Sequence, residues 1–166
     1  SFKSQGVQFN VRAAAVILED GYLLLHRAEG DEIWVLPGGR VEPGEAAADA
    51  TARELMEETG QAIECESLAF CVENFFEWQG QPAHELGYYF YASLPPESPL
   101  SDKLRSHEAK EGNQRLEYRW FEVAHLGKLL AGRKQDAVDH GLAPWRGRAR
   151  GRGRWRVVRA RHGAAP

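Results

Sequence analysis

The first 40 residues show apolar segments separated by turn residues, a pattern typical of short β-strands. An apolar stretch at 11–17 is followed by Asp20-Gly21, a hairpin-type turn, and by a second apolar segment at 22–25. A short strand is predicted at 33–36, ended by Pro37-Gly38-Gly39. The pattern therefore predicts a hairpin and then a third strand.

One helix is predicted with clear limits. The segment 45–59 is rich in Ala and contains neither Gly nor Pro. Pro43-Gly44 makes a turn before it, and Gly60 stands where a C-terminal helix cap belongs.

The second half of the chain predicts further strands and a short helix. Strands are expected at 63–74, 86–94 and 118–121, a loop at 95–99, a polar mobile loop at 101–115, and a helix at 123–130. Strands on both sides of one strong helix indicate an α/β fold with a mixed sheet packed between helices.

Length and composition favour one domain with a sizeable core, since the chain has 166 residues and 43% of them are apolar. There is no run of about 18 apolar residues, so we expect no membrane span. No signal-peptide pattern stands at the N-terminus, and a cytoplasmic location is therefore expected. Cys65 and Cys71 are expected to be reduced core or strand residues; a weak zinc site is the alternative.

The charge is distributed unevenly. Residues 145–166 contain eight Arg and no acidic residue, which leaves 13 basic and 24 acidic residues in 1–144, a net charge of −11. We place the domain at 1–144 and interpret 145–166 as a disordered or non-native Arg-rich tail, because Arg-Gly alternation supplies no apolar area. Two other interpretations are a nucleic-acid-binding arm and an edge strand at 155–158.

The most informative segment runs from Gly39 to Gly60 and reads G-x5-E-x7-R-E-L-x-E-E-x-G. Seven positions are matched at fixed spacing, for which chance gives about 10⁻⁸ at one start. The fixed positions are Gly39, Glu45, Arg53, Glu54, Glu57, Glu58 and Gly60.

Three glutamates of this segment predict a metal site. Glu54, Glu57 and Glu58 are spaced i, i+3, i+4, so on a helix they are neighbours. Three like charges repel one another unless hard cations such as Mg²⁺ or Mn²⁺ lie between them. The competing interpretation is an ordinary solvated helix face. A metal-bound water is more acidic, and the metal stabilises charge on a leaving phosphate.

Other residues of the segment have supporting roles. Arg53 is predicted to hold a carboxylate such as Glu45 and thereby to orient the cluster. Gly38 and Gly39 allow the backbone to approach metal or phosphate where a side chain would collide.

This segment resembles the signature of the Nudix hydrolases, G-x5-E-x7-R-E-U-x-E-E-x-G-U, where U is bulky and apolar. The resemblance covers Gly39 to Gln61 and extends to Trp34-Val35-Leu36-Pro37-Gly38-Gly39 and to Arg119-Trp120-Phe121. One position departs, because Gln61 replaces the last apolar residue and Ile63 follows two residues later.

The resemblance implies an α/β/α sandwich in which the signature forms a loop–helix–loop. It also implies that water hydrolyses a phosphoanhydride bond. It assigns the metal to Glu57 and Glu58 with Gly38, and makes Glu54 a further ligand or the general base, with Arg53 in the catalytic group. Substrate contacts are expected from Gly38, Gly39 and Glu85. Glu108 and Glu111 are candidates for a base on a separate loop; each is otherwise a solvated charge.

The expected substrate is a small nucleotide, with nucleoside triphosphates, ADP-ribose, nucleotide sugars and dinucleoside polyphosphates left open. We expect no membrane partner and no nucleic acid, and leave a homodimer open. Two alternatives remain: a Nudix-like domain that binds nucleotides without catalysis, and an RNA-associated hydrolase that uses the Arg-rich tail.

Overall fold

A computed structural model of the chain describes residues 2–78, 80–126 and 154–159. Within them it contains ten strands, one long helix, a 3-10 turn and a helical turn at 123–126. The strands are β1 (Phe2–Ser4), β2 (Val7–Val16), β3 (Leu18–Glu19), β4 (Tyr22–Ala28), β5 (Gly38–Arg40), β6 (Glu64–Trp78), β7 (Gln81–Ser93), β8 (His107–Glu111), β9 (Gln114–Glu122) and β10 (Arg154–Arg159). The helix is α1 (Ala47–Thr59) and the 3-10 turn is Pro99–Ser101.

The strands form two sheets. One has six strands in the order β1-β2-β7-β6-β10, with β5 also paired to β2. In this sheet β2 and β7 are parallel and the other pairs are antiparallel, so the predicted mixed sheet is confirmed. The other sheet is antiparallel, in the order β3-β4-β9-β8.

Helical segments cover both sides of the sheets. Leu55 of α1 packs into a buried cluster with Ile17, Leu24 and Trp120. A second cluster, which includes Ala14, lies on the other side, where Leu126 of the helical turn packs against it. This arrangement is the α/β/α sandwich expected from the sequence.

The limits of α1 follow from local chemistry. The helix ends where Gly60 adopts a left-handed conformation with φ 70° and its N–H donates to the Met56 carbonyl at 2.9 Å, as predicted for the C-cap. It begins at Ala47, two residues later than expected, because the N-cap residue Ala46 is still extended, with φ −75° and ψ 144°.

Two local predictions were wrong. Residues 33–36 form no strand; Val35 makes only an isolated bridge to His26, and the strand lies at Gly38–Arg40. The segment 101–115 is not a loop, because most of it forms the hairpin of β8 and β9. The Gly112-Asn113 turn, with φ 56° at the glycine, is the signal that would have revealed this hairpin.

The Arg-rich segment contributes an edge strand. Residues Arg154–Arg159 form β10, paired with β6 in the register Val157↔Val72. For these six residues the preferred interpretation of a disordered tail was wrong, and the edge-strand alternative is what the structure shows. The two adjacent valines favour extended backbone, and the edge of β6 offers unpaired backbone groups. The predicted helix residues 127–130 and the rest of the tail lie outside the described residues.

Candidate functional site

The guanidinium of Arg53 connects α1 to the loop before it. It contacts both oxygens of Glu45, at 2.7 and 3.1 Å, and donates to the Arg40 carbonyl at 3.0 Å. It also lies 3.1 Å from Glu54 Oε1 and 3.2 Å from Glu57 Oε2. Arg53 therefore pairs with Glu45 as predicted, and its guanidinium also holds the carboxylates of Glu54 and Glu57.

The carboxyl group of Glu54 lies against the glycine pair. Glu54 is only 7% exposed, and a Cβ added to Gly39 would overlap its carboxyl atoms. Burial raises the pKa of Glu54, Arg53 opposes that shift, and the charges of Glu58 and Glu111 add to it. The site thus holds a poorly solvated carboxylate whose neighbours are largely acidic.

Gly38 carries a different constraint. Its φ is 144°, and an added Cβ would overlap the backbone of Ala13 in the adjacent strand β2. Glycine at this position lets β5 lie close to β2, which places the following residue, Gly39, under Glu54.

Glu58 points into the protein. Its side chain is 2% exposed, it accepts a short hydrogen bond from the Tyr118 hydroxyl, and its Oε2 lies 3.5 Å from His26 Nδ1. Tyr118 is itself fully buried, and burial followed by the charge of Glu58 raises its pKa. Sequence analysis missed both partners of Glu58, because they lie on β9 and β4, far away in the chain.

Glu57 lies on the outer side of the helix. Its side chain is 60% exposed and its contact is with Arg53, whereas Glu54 and Glu58 face inward. In the described part of the chain, no group of three or more His, Cys, Asp or Glu side chains is arranged to hold a metal ion. The predicted cluster of three is therefore not assembled around one point in this structure.

The two candidate loop bases occupy different places. Glu111, at the end of β8, acts electrostatically on both Glu54 and Tyr118, so its charge faces the signature. Glu108 lines a cleft with Thr59, Leu100 and Arg105. The structure thus brings Glu111 towards the signature, on a strand rather than on a loop.

Glu85 lies on β7, away from this group of carboxylates. Its Oε2 accepts a hydrogen bond from Asn10 Nδ2 at 2.8 Å, and it pairs across the sheet with Asn10 and Asn74. Gln61, the departure from the signature, is partly buried, while Ile63 joins the core beside Leu55.

We expect the Arg53–Glu45 pair to make stability depend on pH. Hydrogen bonding from Arg53 is the main reason that the pKa of Glu45 lies below its ordinary value of 4.5. A carboxyl group whose pKa is lower in the folded than in the unfolded state stabilises the fold at pH values above the unfolded pKa. This stabilisation is lost as the pH falls through the folded pKa. Glu45→Gln should therefore unfold more easily than the parent at neutral pH, and the difference should shrink below pH 4.5.

Urea unfolding at neutral pH and at a pH below that value measures this difference. Glu42→Gln is the matched control, because Glu42 is exposed in the same loop and its backbone N–H, not its carboxylate, contacts Glu45. A difference that stays the same at both pH values would contradict the assignment.

Comparison with known proteins identifies the family. A family model described as NUDIX domain matches residues 8–140, and the chain belongs to this family. The chain is 40% identical over 62 residues to a MutT-like protein of Streptomyces ambofaciens, a match that covers 37% of the chain and 40% of that protein. It is 36% identical over 76 residues to human 8-oxo-dGDP phosphatase NUDT18, which covers 45% of the chain and 24% of that protein. The matches thus span less than half of these relatives.

A solved structure supports the fold over a longer range. The MutT protein from Methanosarcina mazei Go1 aligns with a TM-score of 0.51 and 27% identity, covering 77% of this chain and 85% of that one. No helix in the described part of the chain is long and apolar enough to cross a membrane.

Proposed function

We propose that this member of the Nudix family hydrolyses a phosphoanhydride bond in a nucleoside diphosphate linked to another moiety, by metal-assisted attack of water. The observation that carries the proposal is the pair of inward-facing carboxylates, Glu54 and Glu58, beside a glycine that leaves no side chain over them. All signature glutamates are retained, which favours catalysis over nucleotide binding alone.

The donor chemistry suits a divalent cation, although the side chains are not arranged around one. Burial and mutual repulsion raise the pKa of Glu54, and a hard cation would relieve both effects. We propose Mg²⁺, with Mn²⁺ as a substitute, held by Glu54 and Glu58 with Glu57 and the Gly38 backbone as further donors. When bound, the metal would acidify water and stabilise charge on the leaving phosphate.

The remaining residues would position these groups. Arg53 keeps Glu54 and Glu57 oriented through its contact with Glu45, and Gly39 leaves space at the carboxylate of Glu54. Glu54 would act as the general base within the signature only where Glu57 and Glu58 hold the metal without it, because a carboxylate bound to a cation is a weaker base. Glu111 is the preferred base outside it, and we no longer favour Glu108.

The substrate class is proposed as a small nucleotide. A relative named 8-oxo-dGDP phosphatase makes a nucleoside diphosphate the first candidate, and nucleoside triphosphates stay in the set to be tested. Cys65 and Cys71 are free thiols, which is compatible with the cytoplasmic location that we propose.

A screen of nucleoside triphosphates, nucleotide sugars, ADP-ribose and dinucleoside polyphosphates with Mg²⁺, scored by the phosphate product, tests the function. We expect release of a phosphorylated product from at least one class, loss of turnover with a chelator, and recovery when Mg²⁺ is added in excess. Binding without turnover would favour the non-catalytic alternative. Activity on capped RNA alone would favour the RNA-associated hydrolase.

A further inference from the structure

Two side chains of the four-stranded sheet meet the last turn of α1. His26 of β4 and Tyr118 of β9 are direct cross-strand partners, with ring centroids 5.1 Å apart. Directly paired residues present their side chains on the same face of a sheet. Tyr118 shares a buried cluster with Leu55 of α1, so this is the face that the helix covers. Both side chains are buried, and the fold therefore places a phenol and an imidazole directly beneath α1.

Both side chains contact the same oxygen of Glu58. The Tyr118 hydroxyl donates a hydrogen bond to Glu58 Oε2, because an ionised carboxylate can only accept. His26 Nδ1 lies 3.5 Å from the same Oε2 atom and is otherwise unpaired within the described part of the chain. Neither contact involves the other carboxylate oxygen, Oε1. One oxygen of Glu58 is thus held by the sheet, and the other remains available to a further ligand.

Glu58 needs this support because of where it lies. Its side chain is almost fully buried, and a buried charge is unfavourable unless polar groups contact it. Arg53 holds three other carboxylates, those of Glu45, Glu54 and Glu57. The acidic residues of this region are therefore held from two directions, by Arg53 on α1 and by the sheet beneath Glu58.

The two side chains beneath Glu58 are themselves fixed by the sheet. The backbone of His26 exchanges two hydrogen bonds with that of Val35, each 2.9 Å long. Tyr118 lies on β9, which has β4 on one side and β8 on the other, so it has a cross-strand partner on each side, His26 and His107. Close packing restricts buried side chains to few rotamers. The Tyr118 hydroxyl is therefore already in place before a cation binds.

We propose that Tyr118 is a positioning residue of the metal site: its hydroxyl, supported by His26, fixes Glu58 Oε2 and so leaves Oε1 available to the cation. This inference rests on the proposed function and deepens it. Tyr118 itself touches neither the metal nor the substrate and acts only through Glu58. Groups that orient a metal ligand in this way typically contribute about 10–100-fold to metal affinity.

The test is Tyr118→Phe in the full-length protein, which keeps the ring and removes the hydroxyl. We expect the dissociation constant for Mn²⁺, read from the electron paramagnetic resonance of the free ion, to rise about 10–100-fold. The Mg²⁺ concentration that gives half-maximal turnover should rise in parallel. Saturating Mg²⁺ should keep kcat within about threefold of the parent, because excess metal refills the site. A tyrosine that only fills the core would change stability alone, so equal Mn²⁺ affinity in the folded variant and the parent would overturn the inference.

Two comparisons assign the effect to the contact with Glu58. Tyr89→Phe is the matched control, because Tyr89 is a buried tyrosine of the second core cluster, on the other side of the sheet from α1, and its loss of a hydroxyl should leave Mn²⁺ affinity unchanged. In a Glu58→Gln background, adding Tyr118→Phe should change Mn²⁺ affinity by less than about twofold, since the two substitutions remove one shared interaction. A further tenfold loss in that background would show that Tyr118 acts by another route, and the inference would fail.

His26→Leu is the second variant, and it decides the inference if Tyr118→Phe does not fold. It removes the weaker of the two contacts, so we expect Mn²⁺ binding to weaken by about threefold, and equal binding to the parent would overturn the inference in that case. Hydrolysis by the parent with unchanged Mn²⁺ affinity in the variants would leave the proposed function standing without this inference. Weaker Mn²⁺ binding in the variants of a parent that hydrolyses no nucleotide would support the positioning role and contradict the proposed function.

Discussion

Glu58→Gln is expected to lower kcat by roughly 10³-fold while leaving the fold intact, a loss comparable to removing a principal charge-stabilising group. Glutamine keeps the shape of the side chain and can still accept the hydrogen bond from Tyr118. What it loses is the negative charge that we propose holds the metal. Steady-state kinetics with saturating Mg²⁺ measures the effect.

The control for this substitution is Glu97→Gln, which removes one negative charge from an exposed loop between β7 and β8. It should change kcat by less than about twofold, since exposed charges far from a site are largely screened. Equal turnover in Glu58→Gln and the parent would remove Glu58 from the site. A loss of folding, read from circular dichroism, would instead show that its buried position requires the carboxylate.

Gly39→Ala is expected to lower kcat/KM by roughly 10²-fold, because small displacements at a catalytic centre have effects of this size. A single methyl group would occupy the space now filled by the Glu54 carboxyl group and force that side chain to move. We expect the loss mainly in kcat, because the added methyl group displaces the Glu54 carboxyl group and leaves the rest of α1 in place.

Gly44→Ala provides the comparison for Gly39→Ala. It lies in the loop before α1, and an added Cβ there meets no atom within 4 Å, although its φ of 84° introduces local strain. We expect a small loss of stability with nearly normal kinetics. Similar kinetic losses in both variants would mean that loop strain, rather than contact with Glu54, explains the effect.

Much of the fold could be predicted because the sequence signals are local. Alternation and turn residues located β2, β4, β6 and β7, and the Gly60 cap ended α1 correctly. The strand predicted at 33–36 was wrong because apolar residues also fill the core from an irregular segment. Leu36 is buried there, while only Val35 forms a bridge. The loop predicted at 101–115 was wrong because β8 is an edge strand whose exposed positions are polar.

The site was predicted less completely for a physical reason. Spacing made Glu54, Glu57 and Glu58 neighbours on α1 but did not say which of them face the core. The buried positions Thr51, Glu54, Leu55 and Glu58 define one face, and Glu57 lies beside it. Tyr118 could not be found as a partner of Glu58, because the fold brings these two residues together over a long sequence separation.

Binding of Mn²⁺, followed by electron paramagnetic resonance of the free ion, tests the central claim that inward-facing carboxylates of α1 hold a divalent cation. We predict that the parent protein binds Mn²⁺, that Mg²⁺ displaces it, and that a Glu54→Gln, Glu58→Gln double variant retains its fold but loses this binding. Equal Mn²⁺ binding by the folded double variant and the parent would contradict the account.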